Sequence, residues 1–267
     1  MSSQAQLLPV RRSALPAFLT DTRVIARRNL KNLIRTPQVV VFASLQPVIF
    51  VLLFRYVFGG SIHVPGYRSY ADYLIPGIVV QTTVFGGSSL TVRVAEDMSK
   101  GITDRFRSLP MSRTAILAGA TIASVVRTTF TLILVTFVGI AVGFRFHTPA
   151  THIVLAFLVA LAFGYAFAWF FTLVGILVRS TEAAQLASFL PIFPLVFAAS
   201  TFTSPKTFPS WLSTFADNQP ITQVVDSIRA LTEGVDPATG PTLRALAWSV
   251  GILVVCAAAS VWRFRSV

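Results

Sequence analysis

The acidic residues that could carry ion coupling or acid–base catalysis all lie away from the middle of the apolar runs in this 267-residue chain. A transporter driven by protons or sodium normally needs an ionisable residue, or a broken-helix ion site, near the middle of the membrane. The sequence therefore argues against ion-coupled transport. The ten acids fall in loops or at the ends of apolar runs: Asp21, Asp72, Glu96, Asp97, Asp104, Glu182, Asp217, Asp226, Glu233 and Asp236.

Motifs for metal binding, disulfide formation and nucleotide hydrolysis are also missing from the sequence. His63, His147 and His152 fall near the predicted outer surface without neighbours at metal-ligand spacing. Cys256 is the single cysteine and lies in an apolar run. The glycine-rich stretch at 85–89 lacks the lysine of a P-loop, so it is better suited to close helix packing. We predict that the chain itself has no catalytic residue, no metal ligand and no cofactor.

The composition indicates an integral membrane protein. Hydrophobic residues make up 54% of the chain and charged residues only 12%, against roughly a quarter charged in soluble domains. The formal net charge of +12 lies in segments between apolar runs, whereas a nucleic-acid binder concentrates its charge on a soluble face. Membrane topology explains this charge better than nucleic-acid binding does.

Six apolar runs are long enough to cross a bilayer as helices: about 39–58, 72–93, 114–144, 151–178, 183–201 and 243–262. Pro191 and Pro194 are predicted to break the fifth. Fifteen of the 22 Lys and Arg residues lie on one side of these spans and six on the other. The positive-inside rule therefore places both termini and the segment 96–113 in the cytoplasm. We divide the chain into a cytoplasmic N-terminal segment, 1–36, and a six-span membrane domain, 37–267.

Two segments outside the spans are predicted to form amphipathic helices. Basic residues recur at every fourth position near the N-terminus, which places them on one helical face lying in the cytoplasmic headgroup layer. A solvated basic tail is the alternative. Residues 202–240 interleave apolar residues with Pro, Ser, Asp and Asn, which predicts short external helices that lie on the outer surface or re-enter the membrane as a pair. The basic face consists of Arg23, Arg27, Lys31 and Arg35.

The most polar stretch of the chain is the segment 96–113, which holds three acids and four basic residues between two long apolar runs. A six-span protein without an ion relay or a nucleotide site, but with a charged cytoplasmic segment, suggests that a partner delivers energy through this segment. Its sequence, with Glu96, Gly101 and Asp-Arg-Phe-Arg-Ser-Leu-Pro-Met-Ser-Arg at 104–113, resembles the signature of type-2 ABC exporter permeases, in particular the daunorubicin and doxorubicin resistance subfamily.

A second resemblance to the same family lies before the last span. Asn218, Pro220, Asp226 and Arg229, together with Ile and Thr at 221 and 222, are similar to the asparagine-proline-threonine stretch of its external helices. Gln219 separates the asparagine from the proline and is a departure from that pattern.

The resemblance implies an assembly and a way of coupling it to ATP. Permeases of this family form dimers, with themselves or with a related permease, and two ATP-binding subunits carry ATP and Mg²⁺. A short cytoplasmic coupling helix between spans two and three docks in a groove of the ATPase. Arg105 and Arg107 would pair with ATPase acids there, and Glu96 would brace the segment against the N-terminal helix. The coupling residues implied by the resemblance are Glu96, Gly101, Asp104, Arg105, Phe106, Arg107, Leu109, Pro110 and Met111.

The resemblance also implies export of a hydrophobic or amphipathic drug-like compound or lipid across a bacterial plasma membrane. Rings in span four are candidates for substrate binding, although the same rings could pack helices or face lipid. A glycan-exporting permease and a non-transporting membrane scaffold or sensor are the alternatives. The predicted fold is an all-α membrane protein with six transmembrane helices, the interfacial helix, the coupling helix and the external re-entrant helices. The candidate rings are Tyr165, Phe167, Trp169 and Phe171.

Overall fold

A computed structural model describes residues 14–35, 37–60, 62, 64–100, 113–178, 180–235 and 237–266. Every regular element within these ranges is a helix. The α-helices are α1 (Ala14–Arg35), α2 (Pro37–Leu53), α3 (Tyr70–Gly86), α4 (Ser88–Ser99), α5 (Arg113–Ala141), α6 (Ala150–Leu177), α7 (Thr181–Phe189), α8 (Ile192–Phe197), α9 (Ser210–Asn218), α10 (Pro220–Glu233) and α11 (Thr239–Ser266). A π-helical turn (Phe54–Phe58) continues α2, and a 3₁₀ turn (Pro205–Thr207) precedes α9.

Five helical segments in the described part of the chain are long and apolar enough to cross a membrane: Val41–Phe58, Tyr70–Ser99, Ala115–Ala141, Ala150–Leu177 and Thr239–Phe264. They correspond to the predicted spans one to four and six. The predicted fifth span instead forms α7 and α8, which are interrupted at Leu190 and Pro191. Proline has no N–H to donate and its ring clashes with the preceding turn, so a straight helix through Pro191 is disfavoured.

The second of these segments is divided into α3 and α4 at Gly87, next to Gly86. A Cβ added to Gly86 would lie 2.6 Å from Thr128 Oγ1, and one added to Gly87 would lie 2.4 Å from Phe171 Cδ2. Only glycine allows α5 and α6 to approach this closely at the junction of α3 and α4. The prediction that the glycine-rich stretch serves helix packing is confirmed.

Helix α1 lies against α5 and leaves its basic face exposed. Ile25 is buried, and a Cβ on Gly119 of α5 would lie only 2.7 Å from the Cβ of Ile25. The exposure of the basic side chains matches the predicted amphipathic face, whereas its position in a headgroup layer stays a prediction. The exposed basic residues are Arg23, Arg27, Lys31 and Arg35.

Helix α6 is the centre of the packing, since it contacts α3, α4, α5, α7, α10 and α11. Phe163 and Phe171 of α6 are fully buried. Helix α2, by contrast, is poorly covered by the rest of the chain, because its apolar side chains Val41, Phe42 and Leu45 are exposed. A helix with such a surface needs lipid or another protein chain around it.

Candidate functional site

The predicted coupling segment lies between the end of α4 and the start of α5. Of its candidate residues, Glu96 is described, and its carboxylate forms an ion pair with Lys100 at 2.5 Å on the exposed last turn of α4. The remaining candidates lie outside the described residues: Gly101, Asp104, Arg105, Phe106, Arg107, Leu109, Pro110 and Met111.

Helix α4 contacts the N-terminal helix through Arg93. Arg93 Nη2 donates a hydrogen bond to Asn29 Oδ1 at 3.2 Å, whereas the Glu96 carboxylate binds Lys100. Glu96 lies almost one turn further along α4 than Arg93. Most of the segment that Glu96 is predicted to brace lies outside the described residues, so the role of Glu96 stays a prediction.

A cleft of about 130 Å³ opens between α2, α3 and α5, near the end of α7. Gln81 lines it from the middle of the second predicted span; its side chain is buried, and Oε1 has no hydrogen-bond partner among the described residues. Arg127 lines the same cleft and donates a hydrogen bond through Nη2 to the carbonyl of Gly86. The other lining residues are Ala43, Gln46, Pro47, Thr82, Phe85, Gly86, Ser88, Ser89, Thr128, Thr131 and Phe189.

Sequence reasoning missed Gln81, although a usable signal was present. A glutamine in the middle of an apolar span is costly to bury unless its amide finds partners or faces a polar cavity. Arg127, which lies in the third predicted span, is the charged side chain that lines the cleft. Its hydrogen bond to Gly86 ties α5 to the carbonyl end of α3 at the edge of the cleft.

The candidate rings of α6 are not among the residues that line this cleft. Phe167, Trp169 and Phe171 are buried, and Tyr165 is half-buried. The ring centroids of Tyr165 and Trp169 are 6.5 Å apart, and those of Phe167 and Phe171 are 6.3 Å apart. These four side chains belong to the packed interior, and none of them lines the cleft.

Arg229 of α10 forms the most extensive polar network among the described residues. Its side chain is buried and donates to the carbonyl of Tyr73 from Nε at 3.1 Å and from Nη2 at 2.9 Å. Nη2 also donates to the carbonyl of Ser200 at 2.6 Å. The guanidinium carbon lies 3.5 Å from the centroid of the Tyr73 ring, within cation–π range. One arginine thus joins α10 to α3 and to the segment that follows α8.

Asp226 completes this network. Ser200 Oγ donates to Asp226 Oδ1 at 3.0 Å, and Arg229 Nη1 lies 3.5 Å from the same oxygen. Burial raises the pKa of Asp226, and the Arg229 charge opposes that shift. Among the motif residues, Asp226 and Arg229 therefore lie close together, and both form hydrogen bonds with Ser200.

The remaining motif residues lie where α9 ends and α10 begins. Pro220 occupies the first turn of the helix, where a missing N–H costs nothing. Asn218 Nδ2 donates to the carbonyl of Thr214 within α9. Gln219 is buried, and its Nε2 donates to the carbonyl of Ala198 at 2.8 Å. The residue that departs from the family pattern is thus a second tie between α10 and the segment after α8.

Close approach of α3 to the same segment predicts a specific stability effect. A Cβ on Gly77 would lie 2.2 Å from the carbonyl oxygen of Thr201, so backbone would have to move. We expect Gly77→Ala to lower the free energy of unfolding by about 1–3 kcal/mol. Gly251→Ala on α11 is the matched control, because nothing lies within 4 Å of an added Cβ there. Unfolding in detergent measures both, and equal stabilities would contradict the packing described.

One group of side chains has the composition of a metal site. Asp72, His147 and Glu233 each offer a ligand atom, and these atoms all lie within 4.8 Å of one another. They come from the start of α3, the link between α5 and α6, and the end of α10.

The sequence of the chain matches that of a known protein family. Residues 20–232 match the sequence profile of the family described as ABC-2 type transporter. The chain belongs to this family. The match begins within α1 and ends in α10. In this ABC-2 family member, the matched region therefore includes the cleft, the Arg229 network and the predicted coupling segment. The family and the apolar helices together make it a multi-pass membrane protein.

Relatives of this ABC-2 family member are named as permease proteins of ABC transporters. It is 32% identical over 255 residues to the daunorubicin resistance ABC transporter permease protein DrrB1 of Streptomyces coeruleorubidus, covering 94% of this chain and 83% of the relative. It is 25% identical over 261 residues to the probable doxorubicin resistance ABC transporter permease protein DrrC of Mycobacterium tuberculosis, covering 96% and 94%. DrrB of the same organism, also a doxorubicin resistance permease, is 29% identical over 196 residues, covering 71% and 67%.

Proposed function

We propose that this protein is the membrane-spanning permease subunit of an ATP-driven exporter that moves a hydrophobic or amphipathic drug-like compound or lipid out of a bacterial cell. The observation that carries the proposal is the 32% identity, over 94% of the chain, to a daunorubicin resistance permease. The distribution of acids supports it, since none lies where an ion-coupled carrier needs one.

Energy for export would come from a separate ATPase subunit that binds ATP and Mg²⁺ and docks on residues 96–113. The sequence has no P-loop of its own, and the family implies an ATP-binding partner. Helix α4 leads directly into this segment, continues α3 and is tied to α1 through Arg93 and Asn29. A push on the segment would therefore move α1, α3 and α4 together as packed bodies.

The proposed layout in the membrane has six crossings. Helices α7 and α8, with the segment 198–202 that follows, would form the fifth crossing in a broken form. Both termini and the coupling helix would be cytoplasmic, with α1 lying in the inner headgroup layer. Helix α10 would be an external re-entrant helix, which its burial against α3, α6 and α11 supports.

The cleft between α2, α3 and α5 is proposed to be part of the substrate path. Its lining combines aromatic and aliphatic groups with the amide of Gln81 and the guanidinium of Arg127, a combination that suits an amphipathic compound. Its volume of about 130 Å³ is smaller than the roughly 300–1,000 Å³ typical of drug-sized ligand sites. The complete site would therefore need another wall.

A second permease subunit would supply that wall. We propose a homodimer or a heterodimer with a related permease, with the exposed apolar face of α2 directed toward the partner subunit. The exposed side chains Val41, Phe42 and Leu45 lie on the helix that lines one side of the cleft, which supports this arrangement.

Transport in inside-out membrane vesicles tests the function. Vesicles that contain the permease and an ABC ATPase encoded beside it are expected to accumulate doxorubicin when ATP and Mg²⁺ are supplied, and not with a non-hydrolysable ATP analogue. ATP-dependent uptake of a lipid-linked glycan in place of drugs and lipids would favour the glycan exporter. No ATP-dependent uptake of any of these compounds would favour a scaffold or sensor.

The same assay locates the substrate path. Replacing Gln81 by leucine removes the buried amide and is expected to raise the KM for drug uptake several-fold, because an unpaired polar group at a binding site contributes to discrimination. Gln38→Leu is the matched control, since Gln38 is exposed on α2 and does not line the cleft. An unchanged KM in Gln81→Leu would remove the cleft from the proposed path.

A further inference from the structure

Asp72, His147 and Glu233 meet at the end of the molecule where α3 begins and α10 ends. His147 Nδ1 lies 2.9 Å from Glu233 Oε2, and one ligand atom from each of the three residues lies within 4.8 Å of the others. The three residues are far apart in the sequence, so the fold alone brings them together.

Hydrogen bonds to backbone carbonyls at the end of α10 fix the position of His147 beside Glu233. The His147 N–H donates to the carbonyl of Thr232 at 2.9 Å, and Thr148 Oγ1 donates to the carbonyl of Leu231 at 2.6 Å. Gly234 then ends α10 in the left-handed conformation, with φ of 67°. A site whose ligands are fixed by the scaffold loses little entropy when it binds an ion.

Asp72 is oriented by two hydrogen bonds that leave it able to accept more. Ser69 Oγ donates to Asp72 Oδ2 at 2.9 Å, and the Arg145 N–H donates to Asp72 Oδ1 at 3.3 Å. Each carboxylate oxygen has two lone-pair positions, so each keeps one for a further ligand. Outer hydrogen bonds of this kind orient carboxylates in metal sites.

Within the described residues, neither carboxylate is paired with a lysine or arginine side chain. The guanidinium of Arg145 is directed elsewhere, because its Nη1 donates to the carbonyls of Ile140 and Phe144 at 2.7 and 2.8 Å. A positive ion between the carboxylates would relieve their repulsion.

Glu233 has an unused ligand atom in this position. Its side chain is 3% exposed, and Oε1 has no hydrogen-bond partner in the described part of the chain. A buried carboxylate oxygen without a hydrogen-bond partner is costly, and a bound cation would satisfy it.

We propose that Asp72, His147 and Glu233 bind a divalent transition-metal ion, with Zn²⁺ as the probe. Imidazole with carboxylates suits Zn²⁺ better than Ca²⁺ or Mg²⁺, which prefer all-oxygen shells. Tetrahedral Zn²⁺ places its N and O ligands about 3.3 Å apart, so small side-chain rotations from the observed geometry suffice. Three protein ligands leave a coordination position for water. The bound ion joins α3, the α5–α6 link and α10, and its binding does not depend on the proposed transport function.

Metal binding by the purified full-length protein in detergent tests this site. After chelator treatment, the wild-type protein is expected to take up one Zn²⁺ per chain in competition with a chromophoric chelator. His147→Ala is expected to weaken binding by at least about 10-fold, and Glu233→Gln to weaken it similarly. His152→Ala is the matched control: His152 is exposed on the first turn of α6 and outside the cluster, so its removal leaves binding within about twofold.

Two further results keep the test decisive if a variant fails to fold. Zn²⁺ is expected to raise the unfolding temperature of wild-type protein, and Co²⁺ in its place to give the visible absorption of a four-coordinate ion. A wild-type protein that binds no Zn²⁺ above background overturns the proposal. Equal binding by wild-type and His147→Ala proteins, or a loss of binding in His152→Ala alone, overturns it as well.

Discussion

Replacement of Arg229 by alanine is expected to lower the free energy of unfolding by about 3–5 kcal/mol, the range measured when one partner of a buried charged network is removed. The variant leaves the carbonyls of Tyr73 and Ser200 without their guanidinium donor and Asp226 without its cationic neighbour. Urea or thermal unfolding of the protein in detergent, followed by circular dichroism, measures the change.

Two other variants separate the charge of Arg229 from its geometry. Arg229→Lys keeps the charge but is expected to lose a large part of the stability, because an ammonium group cannot donate to several carbonyls in the fixed fork of a guanidinium. Arg68→Ala removes an exposed arginine and is expected to change stability by less than about 0.5 kcal/mol. Equal stability of Arg229→Ala and Arg68→Ala would contradict the role given to the network.

The double charge reversal Arg105→Glu with Arg107→Glu is expected to separate the permease from its ATPase. Loss of one partner in a close charged contact costs about 2–5 kcal/mol, which corresponds to at least about 30-fold weaker association. Drug uptake in vesicles falls with it, while membrane insertion is retained. Co-purification of the ATPase with the tagged permease, together with ATP-dependent uptake, measures the loss.

The chain contains its own control for this experiment. Arg263, Phe264 and Arg265 repeat the Arg-Phe-Arg sequence of 105–107 near the C-terminus. Reversing both of these arginines changes the net charge by the same amount on the same predicted side of the membrane, and we expect ATPase association to persist. If both double variants lose the ATPase equally, the effect is one of net charge and the assignment of 105–107 as the docking site fails.

Patterns in the sequence predicted which residues share a face or a span. The spacing of four between Arg23, Arg27, Lys31 and Arg35 requires only local helix geometry, and the four side chains are exposed together. The apolar runs likewise located the helices that are long enough to cross a membrane. The break in the fifth run was also predictable, because Pro191 lacks a donor and the helices on either side of it are separate. The run is too interrupted to count among the helices long enough to cross a membrane.

Contacts between distant segments could not be predicted in this way. Arg229 binds the carbonyl of a residue 156 positions earlier, and His147 binds an acid 86 positions later. Composition and periodicity carry no information on such pairs, because they depend on which helix ends the fold brings together. His147 therefore looked isolated in the sequence although two carboxylates lie beside it in the structure.

The central proposal is that a separate ATPase drives this permease through residues 96–113. Affinity purification of the tagged chain from native membranes in mild detergent, with mass spectrometry of what co-elutes, tests it most directly. We expect a P-loop ATPase at equal stoichiometry with the permease, and its ATP turnover should rise when candidate drugs or lipids are added. If no ATPase co-elutes even after chemical crosslinking, the segment has no such driver, and the protein is better explained as a membrane scaffold or sensor.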